Sequence, residues 1–324
     1  MNGRLEHELQ INQKIETMLL ELPDNVRQFY NNIRISKSPK TCIEYIRYIQ
    51  NFIGYSERAS IEEITDIDIQ EYLNSIQYVN KNGEIKKASA AYTKAACSAL
   101  NQYFKYLYKR RIISGNPMDL IDRPMRKDSV KRIFLSMNDL NKILKEVEND
   151  NIADIWKARN YTILHLFMVT GMRNTALSEI NVTDFDWKKR KLTIIDKRDK
   201  EQVYIFSPGT KKILMKWLKY RDQYLESFKI KEDAFFISAK KNRISPRTIY
   251  DIVQKYSKPA LGYEISPHKL RAAFVSLYYK KTKDIEATKE AVGHSSISTT
   301  SLYITRSDNP RKKAATYMSK SLGA

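Results

Sequence analysis

Apolar residues along this chain follow a helical period first and an alternating one later, and that change separates two kinds of structure. From Ser38-Pro39, Ile43, Ile46, Ile49, Phe52 and Ile53 form one helical stripe, with Arg47 and Gln50 off it. Serine can cap such a helix and proline suits its first position. Residues 1–24 are a polar helical lead-in, with weak apolar spacing at Leu5, Leu9, Ile11 and Ile15. Thr65-Asp-Ile-Asp68 predicts a capped helix through Tyr72 and Leu73. Residues 88–108 predict a long helix, alanine-rich at first and then aromatic at Tyr103, Phe104 and Tyr108. It runs into Lys109-Arg110-Arg111, cations that suit the negative end of the helix dipole, and Ser114-Gly-Asn-Pro117 is a stop signal.

The apolar period lapses over 121–133, a basic stretch that reads as a linker between domains at 25–120 and 134–310, with 311–324 a C-terminal segment. Beyond the linker, Ser136-Met-Asn-Asp-Leu140 opens a helix and 156–169 form another that ends at Thr170-Gly171. Lys191-Leu-Thr-Ile-Ile195 and Gln202-Val-Tyr-Ile-Phe206 are strand-like runs around the polar turn 196–201, and so predict a hairpin. Ala234-Phe-Phe-Ile-Ser238 is a candidate third strand, and the remainder reads as helix. The fold class is mainly α with a small antiparallel β-sheet in the second domain.

Composition narrows the partners. The 324 residues carry a net charge of +20 and are 42% hydrophobic, an ordinary share for a globular chain. A surface so basic points to nucleic acid, with anionic membrane a distant second. The longest apolar run, around 161–169, is too short to span a bilayer, and the charged start Met1-Asn-Gly-Arg-Leu-Glu is unlike a signal peptide. The expectation is a cytoplasmic, nucleoid-associated protein. Cys42 and Cys97 are then expected to be reduced and buried, and two lone thiols cannot build a zinc site.

Candidate chemistry concentrates near the C-terminus. Two of the four histidines fall there, as His268-Lys-Leu-Arg271 and Gly293-His294, with Tyr303 following. His268 and Arg271 are three apart on a predicted helix and so face one way, able to donate several hydrogen bonds to one anion. His294 and Tyr303 are nine apart, which on one continuous helix would put them on opposite faces. The Gly-His-Ser-Ser break lets the chain turn so that both can face one site. Arg173 follows Thr170-Gly-Met at a helix end, and Lys197 and Lys200 occupy the hairpin turn. Lys240, Lys241, Arg243 and Arg247 cluster around Ser245-Pro246, a helix start that suits either DNA contact or a solvated basic loop. Taken singly, each of these residues is readily explained as packing, capping or solvated surface.

Their joint order is not so explained. Thr-Gly-Met-Arg173, a hairpin lysine 24 residues on, His268-x-x-Arg271, Gly-His294 and Tyr303 together closely resemble the tyrosine recombinases, the family of phage integrases and Xer-like site-specific recombinases. The resemblance extends over about 25–310, since Ser38–Phe52 is similar to the first helix of the family's core-binding domain and Leu135–Leu140 to the start of its catalytic domain. One position departs: where the family usually has an acid, this chain has Ala176, with Glu179 one turn on.

The resemblance implies a helical, SAM-like core-binding domain and a mixed α+β catalytic domain that clamp double-stranded DNA. Tyr303 would be the nucleophile, forming a 3′-phosphotyrosyl bond. Arg173, Arg271 and His294 would hold the phosphate, Lys197 would protonate the leaving 5′ oxygen, and His268 would assist proton transfer at the tyrosine. No cofactor, ATP or metal is implied. Implied partners are DNA with inverted half-sites, three further copies in a synaptic homotetramer with 311–324 docking on a neighbour, and an accessory directionality protein. The alternatives are a type IB topoisomerase-like or telomere-resolving enzyme, or a non-catalytic DNA-binding protein of the same fold.

Overall fold

The computed structural model describes residues 3–56, 60–79, 83–122, 134–196, 200–293 and 296–301. Most of the 121–133 linker, Lys197, His294, Tyr303 and the 311–324 segment therefore lie outside the described residues. The chain divides into two compact units, 1–130 and 131–324.

The first unit is helical: α1 (Gly3–Leu19), α2 (Asp24–Ile33), α3 (Pro39–Tyr55), α4 (Asp66–Ser75) and α5 (Ala90–Lys109). The expected caps are present. Ser38 accepts from Thr41 N, and Thr65 and Asp68 form a reciprocal capping box. Ile46, Ile49 and Phe52 of α3 meet Leu100, Phe104 and Leu107 of α5 in one apolar core, with Phe52 and Phe104 edge to face at 5.8 Å. Ile15 and Leu19 of the lead-in helix are buried in that core, so α1 contributes to the packing. Helix α2 lies outside the helices expected from the sequence. Its Val26, Phe29, Tyr30 and Ile33 are buried at helical spacing, and Asn25 Oδ1 accepts from Tyr103 Oη at 2.7 Å. A short hairpin, β1 (Gln77–Val79) with β2 (Ile85–Lys87), whose second strand is exposed, also lacked a readable alternation. Cys42 and Cys97 are both buried, and neither is in a disulfide.

The second unit is built on α7 (Asp154–Thr170), against which α6 (Met137–Asn149) packs, as do α9 (Pro208–Ser227) and α11 (Pro267–Thr282). Ser136 and Asp139 close the capping box that starts α6. The expected hairpin is β4 (Lys191–Asp196) and β5 (Lys200–Ile205), paired Leu192 to Tyr204 and Ile194 to Gln202. Short helix α8 (Asn174–Glu179) precedes the sheet, and α10 (Pro246–Leu261), α12 (Ile285–Val292) and α13 (Ile297–Ser301) complete the unit.

The third strand is not Ala234–Ser238 but β3 (Phe185–Asp186), on the far side of β4. The 234–237 segment is wholly buried, and it makes only single bridges, Ala234 to Asn181 and Ile237 to Arg243. Phe236 O accepts from Ile244 N at 3.0 Å, and the other three carbonyls are met by side chains. Trp217 Nε1 donates to Phe235 O at 2.9 Å, Arg221 Nε to Ala234 O at 2.8 Å and Arg159 Nη1 to Ile237 O at 3.0 Å. Buried backbone must find partners, and here distant side chains supply what a ladder would. Arg159 also donates to Asn160 Oδ1, whose amide donates to Tyr256 Oη at 2.9 Å, and that hydroxyl donates to Asp150 Oδ2 at 2.7 Å. This chain of bonds fixes α10 against α6 and α7. Among the described residues no helix is long and apolar enough to cross a membrane.

Candidate active site

Helix α7 ends where Gly171 turns into the left-handed region at φ 60°, its N–H bonding back to Phe167 O. Only glycine fits there. A methyl on Gly171 would lie 2.7 Å from the Phe274 ring and 3.1 Å from Val292 Cγ1. Gly171→Ala therefore combines backbone strain with overpacking, and is expected to cost on the order of 3 kcal/mol in chemical denaturation of the full chain. An unchanged unfolding midpoint would contradict that expectation.

The tight turn delivers two arginines. Arg271, 4% exposed on α11, donates from Nη1 to Gly171 O at 2.5 Å and from Nη2 to Val292 O at 2.8 Å. Its guanidinium thus ties the end of α7 to the end of α12. Arg173, half-buried, stands at the N-cap position of α8, and its Nη2 donates to Gly293 O at 3.4 Å. Both cations lie at the carbonyl end of α12, where the helix dipole is negative. Gly293 itself is left-handed at φ 63° and its N–H bonds to Glu290 O.

His268 occupies the first turn of α11, three residues before Arg271. The residue is exposed at its edge, yet partial burial is the main cause that holds its imidazole below the ordinary value. The Arg271 and Lys269 cations push in the same direction. The neutral, proton-accepting ring is favoured. The structure thus brings together Arg173, His268 and Arg271, and it places Gly293 immediately before His294; Lys197, His294 and Tyr303 lie outside the described residues.

Strand β5 reaches the same point. Gln202 stands opposite Ile194, on the face that buries Ile194, Leu192 and Tyr204. Its amide covers Gly293: a methyl on that glycine would overlap Gln202 Oε1 and lie 2.9 Å from Cδ. Gln202 belongs to no motif in the sequence, although a polar residue in an apolar file of a strand is a signal in itself.

Of the four loop cations, Lys240 and Arg247 are exposed, and Arg247 Nε pairs with Asp251 at 3.0 Å. Lys241 Nζ sits over the Phe228 ring, 3.7 Å from its centroid. Arg243 is turned inward, donating to Ser178 O at 2.9 Å and to Asn181 Oδ1 at 2.5 Å. It braces the end of α8 behind Arg173. Ala176 is buried in the core under that helix, whereas Glu179 is exposed.

The chain is similar in sequence and in fold to known proteins. The Phage integrase family pattern matches residues 133–309, and the phage integrase N-terminal SAM-like domain matches 26–114. Tyrosine recombinase XerC of Caldanaerobacter subterraneus subsp. tengcongensis is 31% identical over 259 residues, spanning 78% of this chain and 68% of that protein. Tyrosine recombinase XerC of Vibrio vulnificus is 30% identical over 289 residues, covering 87% and 88%. In fold, the chain is similar to XerH site-specific recombinase bound to its difH substrate, with TM-score 0.66, 22% identity and coverage of 86% and 79%. It is similar also to a lambda integrase dimer bound to a COC′ core site, with TM-score 0.66, 20% identity and coverage of 88% and 78%. With the family pattern spanning more than half of its length, this chain belongs to the phage integrase family, the tyrosine recombinases.

Proposed function

We propose that this protein is a site-specific DNA recombinase that cuts and rejoins strands through a covalent tyrosyl ester. The observation that carries the proposal is the convergence of Arg173 and Arg271 on the Val292–Gly293 backbone, directly before His294, in a chain of this family. Two guanidiniums on one spot are suited to the non-bridging oxygens of a phosphodiester, whose charge grows in the transition state. The Tyr303 oxygen attacks the phosphorus, the bond to the 5′ oxygen breaks, and the DNA 3′ end is left as a phosphotyrosyl ester. The tyrosine proton leaves by way of His268, and Lys197 returns one to the departing 5′ oxygen. A 5′ hydroxyl from a partner strand then reverses the step, so the bond energy is conserved and no ATP is consumed.

The helical unit, 25–120, serves as the core-binding half of a clamp, with 121–133 as its linker and 134–310 as the catalytic half. Relatives in fold include lambda integrase as a tetramer bound to a Holliday junction. The proposal extends that assembly to this chain, as a homotetramer on two inverted half-site pairs, with an accessory protein setting direction. Lys240 and Arg247 are its proposed surface contacts to DNA.

Three measurements bear on this reading. Full-length protein first selects its target from random-sequence inverted repeats, and two distinguishable duplexes carrying that target are then mixed. Joined products between them establish recombination; relaxation of a plasmid without joined products would favour a topoisomerase instead. Binding to the selected site is expected to weaken linearly in log–log salt titration, each lost phosphate contact lowering the slope by about 0.9; a flat titration would contradict a phosphate-clamping surface. The pH profile reads His268. A lowered imidazole value keeps it neutral at pH 7, so single-turnover cleavage is expected to fall only as pH drops below the ordinary histidine range. His268→Gln should remove that acid limb; a limb that persists unchanged would assign it to another group.

A further inference from the structure

We propose that Gln202 is a positioning residue of the active site, its amide locking the Val292–Gly293 turn against the β4–β5 hairpin so that the two arginines and the hairpin lysine share one frame. The inference rests on the recombinase reading and goes beyond it, since nothing in the motif set involves position 202. Three elements meet at Gly293. Arg271 holds the preceding carbonyl at 2.8 Å, Arg173 holds its own at 3.4 Å, and Gln202 occupies the space where any side chain at 293 would stand. The first two contacts come from α11 and from the residue that precedes α8. The third comes from β5, the strand that follows residues 197–199 in the chain.

Gln202 is also out of keeping with its file. Its neighbour on that face, Tyr204, is buried, as are Leu192 and Ile194 across the ladder, while Gln202 is half-buried. A strand whose only task was to cover the core would carry an apolar residue there. An amide at this place has a flat, polar end that can lie on a bare glycine Cα, and glycine at 293 leaves room for it. The two residues are therefore a matched pair: the missing side chain at 293 and the amide at 202 explain each other.

The consequence is geometric. Lys197 lies in the chain between β4 and β5, so a hairpin free to shift against Gly293 would move the proposed general acid relative to the phosphate. A displacement of about 1 Å at a reacting group commonly costs up to about a hundredfold in rate. Loss of the Gln202 contact should act on the chemical step and spare the protein's hold on DNA.

The test uses the full chain on a nicked suicide duplex carrying the selected target site. Gln202→Ala is expected to slow single-turnover cleavage about tenfold, with site binding and thermal midpoint within error of wild type. Gly293→Ala is expected to lose about a hundredfold, and the Gln202→Ala, Gly293→Ala double variant to regain about tenfold of that, because the methyl then enters vacated space. Gln202→Glu, which keeps the shape of the side chain, should stay closer to wild type than Gln202→Ala. Wild-type cleavage by Gln202→Ala, or a double variant whose losses simply multiply, would overturn the positioning role while leaving the recombinase reading intact. A thermal midpoint that falls in step with the rate would also overturn it, by making Gln202 an ordinary packing residue. A wild-type chain that forms no adduct would instead overturn the recombinase reading, and the role with it.

Discussion

Replacing Arg271 with alanine is expected to lower single-turnover strand cleavage by about 10²–10³, the scale at which loss of a transition-state donor is felt. Arg271 has two tasks at once. In the protein alone it ties Gly171 O to Val292 O, and the truncation leaves both carbonyls buried without that donor. Each such group costs about 1–3 kcal/mol, so the unfolding midpoint should fall along with the rate. Arg271→Lys separates the two effects. A lysine retains the charge and can reach one carbonyl, but it has no planar fork to span two acceptors or two phosphate oxygens. Much of the stability should return and little of the rate. Arg271→Lys with near wild-type cleavage would show that charge alone suffices, and would remove the geometric argument for the arginine.

Tyr303→Phe should abolish strand exchange while leaving affinity for the target within about twofold, since one phenolic hydroxyl adds little beside many phosphate contacts. The reason is chemical. Without that oxygen no ester can form, and a water substituting for it would give hydrolysis and a broken strand rather than a stored bond. The comparison is sharp because the chain holds 21 tyrosines. Gel-shift and exchange assays on the same selected duplex measure both quantities. Retained exchange by Tyr303→Phe would move the nucleophile elsewhere, and lost binding would make the residue structural.

Much of the fold could be read along the chain because its signals are local. Ser38, Thr65 and Ser136 each cap the helix they were expected to start, and each does so through its own side chain. The β4–β5 hairpin followed from two strand-like runs around a polar turn. What escaped depends on distant partners. Ala234-Phe-Phe-Ile237 has the composition of a strand, but Trp217, Arg221 and Arg159 meet its carbonyls, and no local pattern announces that. Helix α2 was hidden by its shortness and its asparagines, although Val26, Phe29, Tyr30 and Ile33 keep helical spacing. At the candidate site, Arg173, His268 and Arg271 were found by their order in the sequence, yet their geometry was not. That Arg271 would bind Gly171 O and Val292 O, and that Ala176 would pack in the core with Arg243 bracing the same helix from behind, required the fold. Gln202 lay between the two kinds of signal: its position in the strand was legible, and its contact with Gly293 was not.

The account stands most directly on the covalent intermediate. Full-length protein is incubated with a suicide duplex, nicked next to the selected cleavage position and labelled at its 3′-linked strand, then denatured and digested. The predicted result is a denaturation-resistant adduct whose labelled DNA is joined through its 3′ phosphate to the peptide containing Tyr303. An adduct on another residue, linkage through a 5′ phosphate, or no adduct at all with specific binding intact would contradict it.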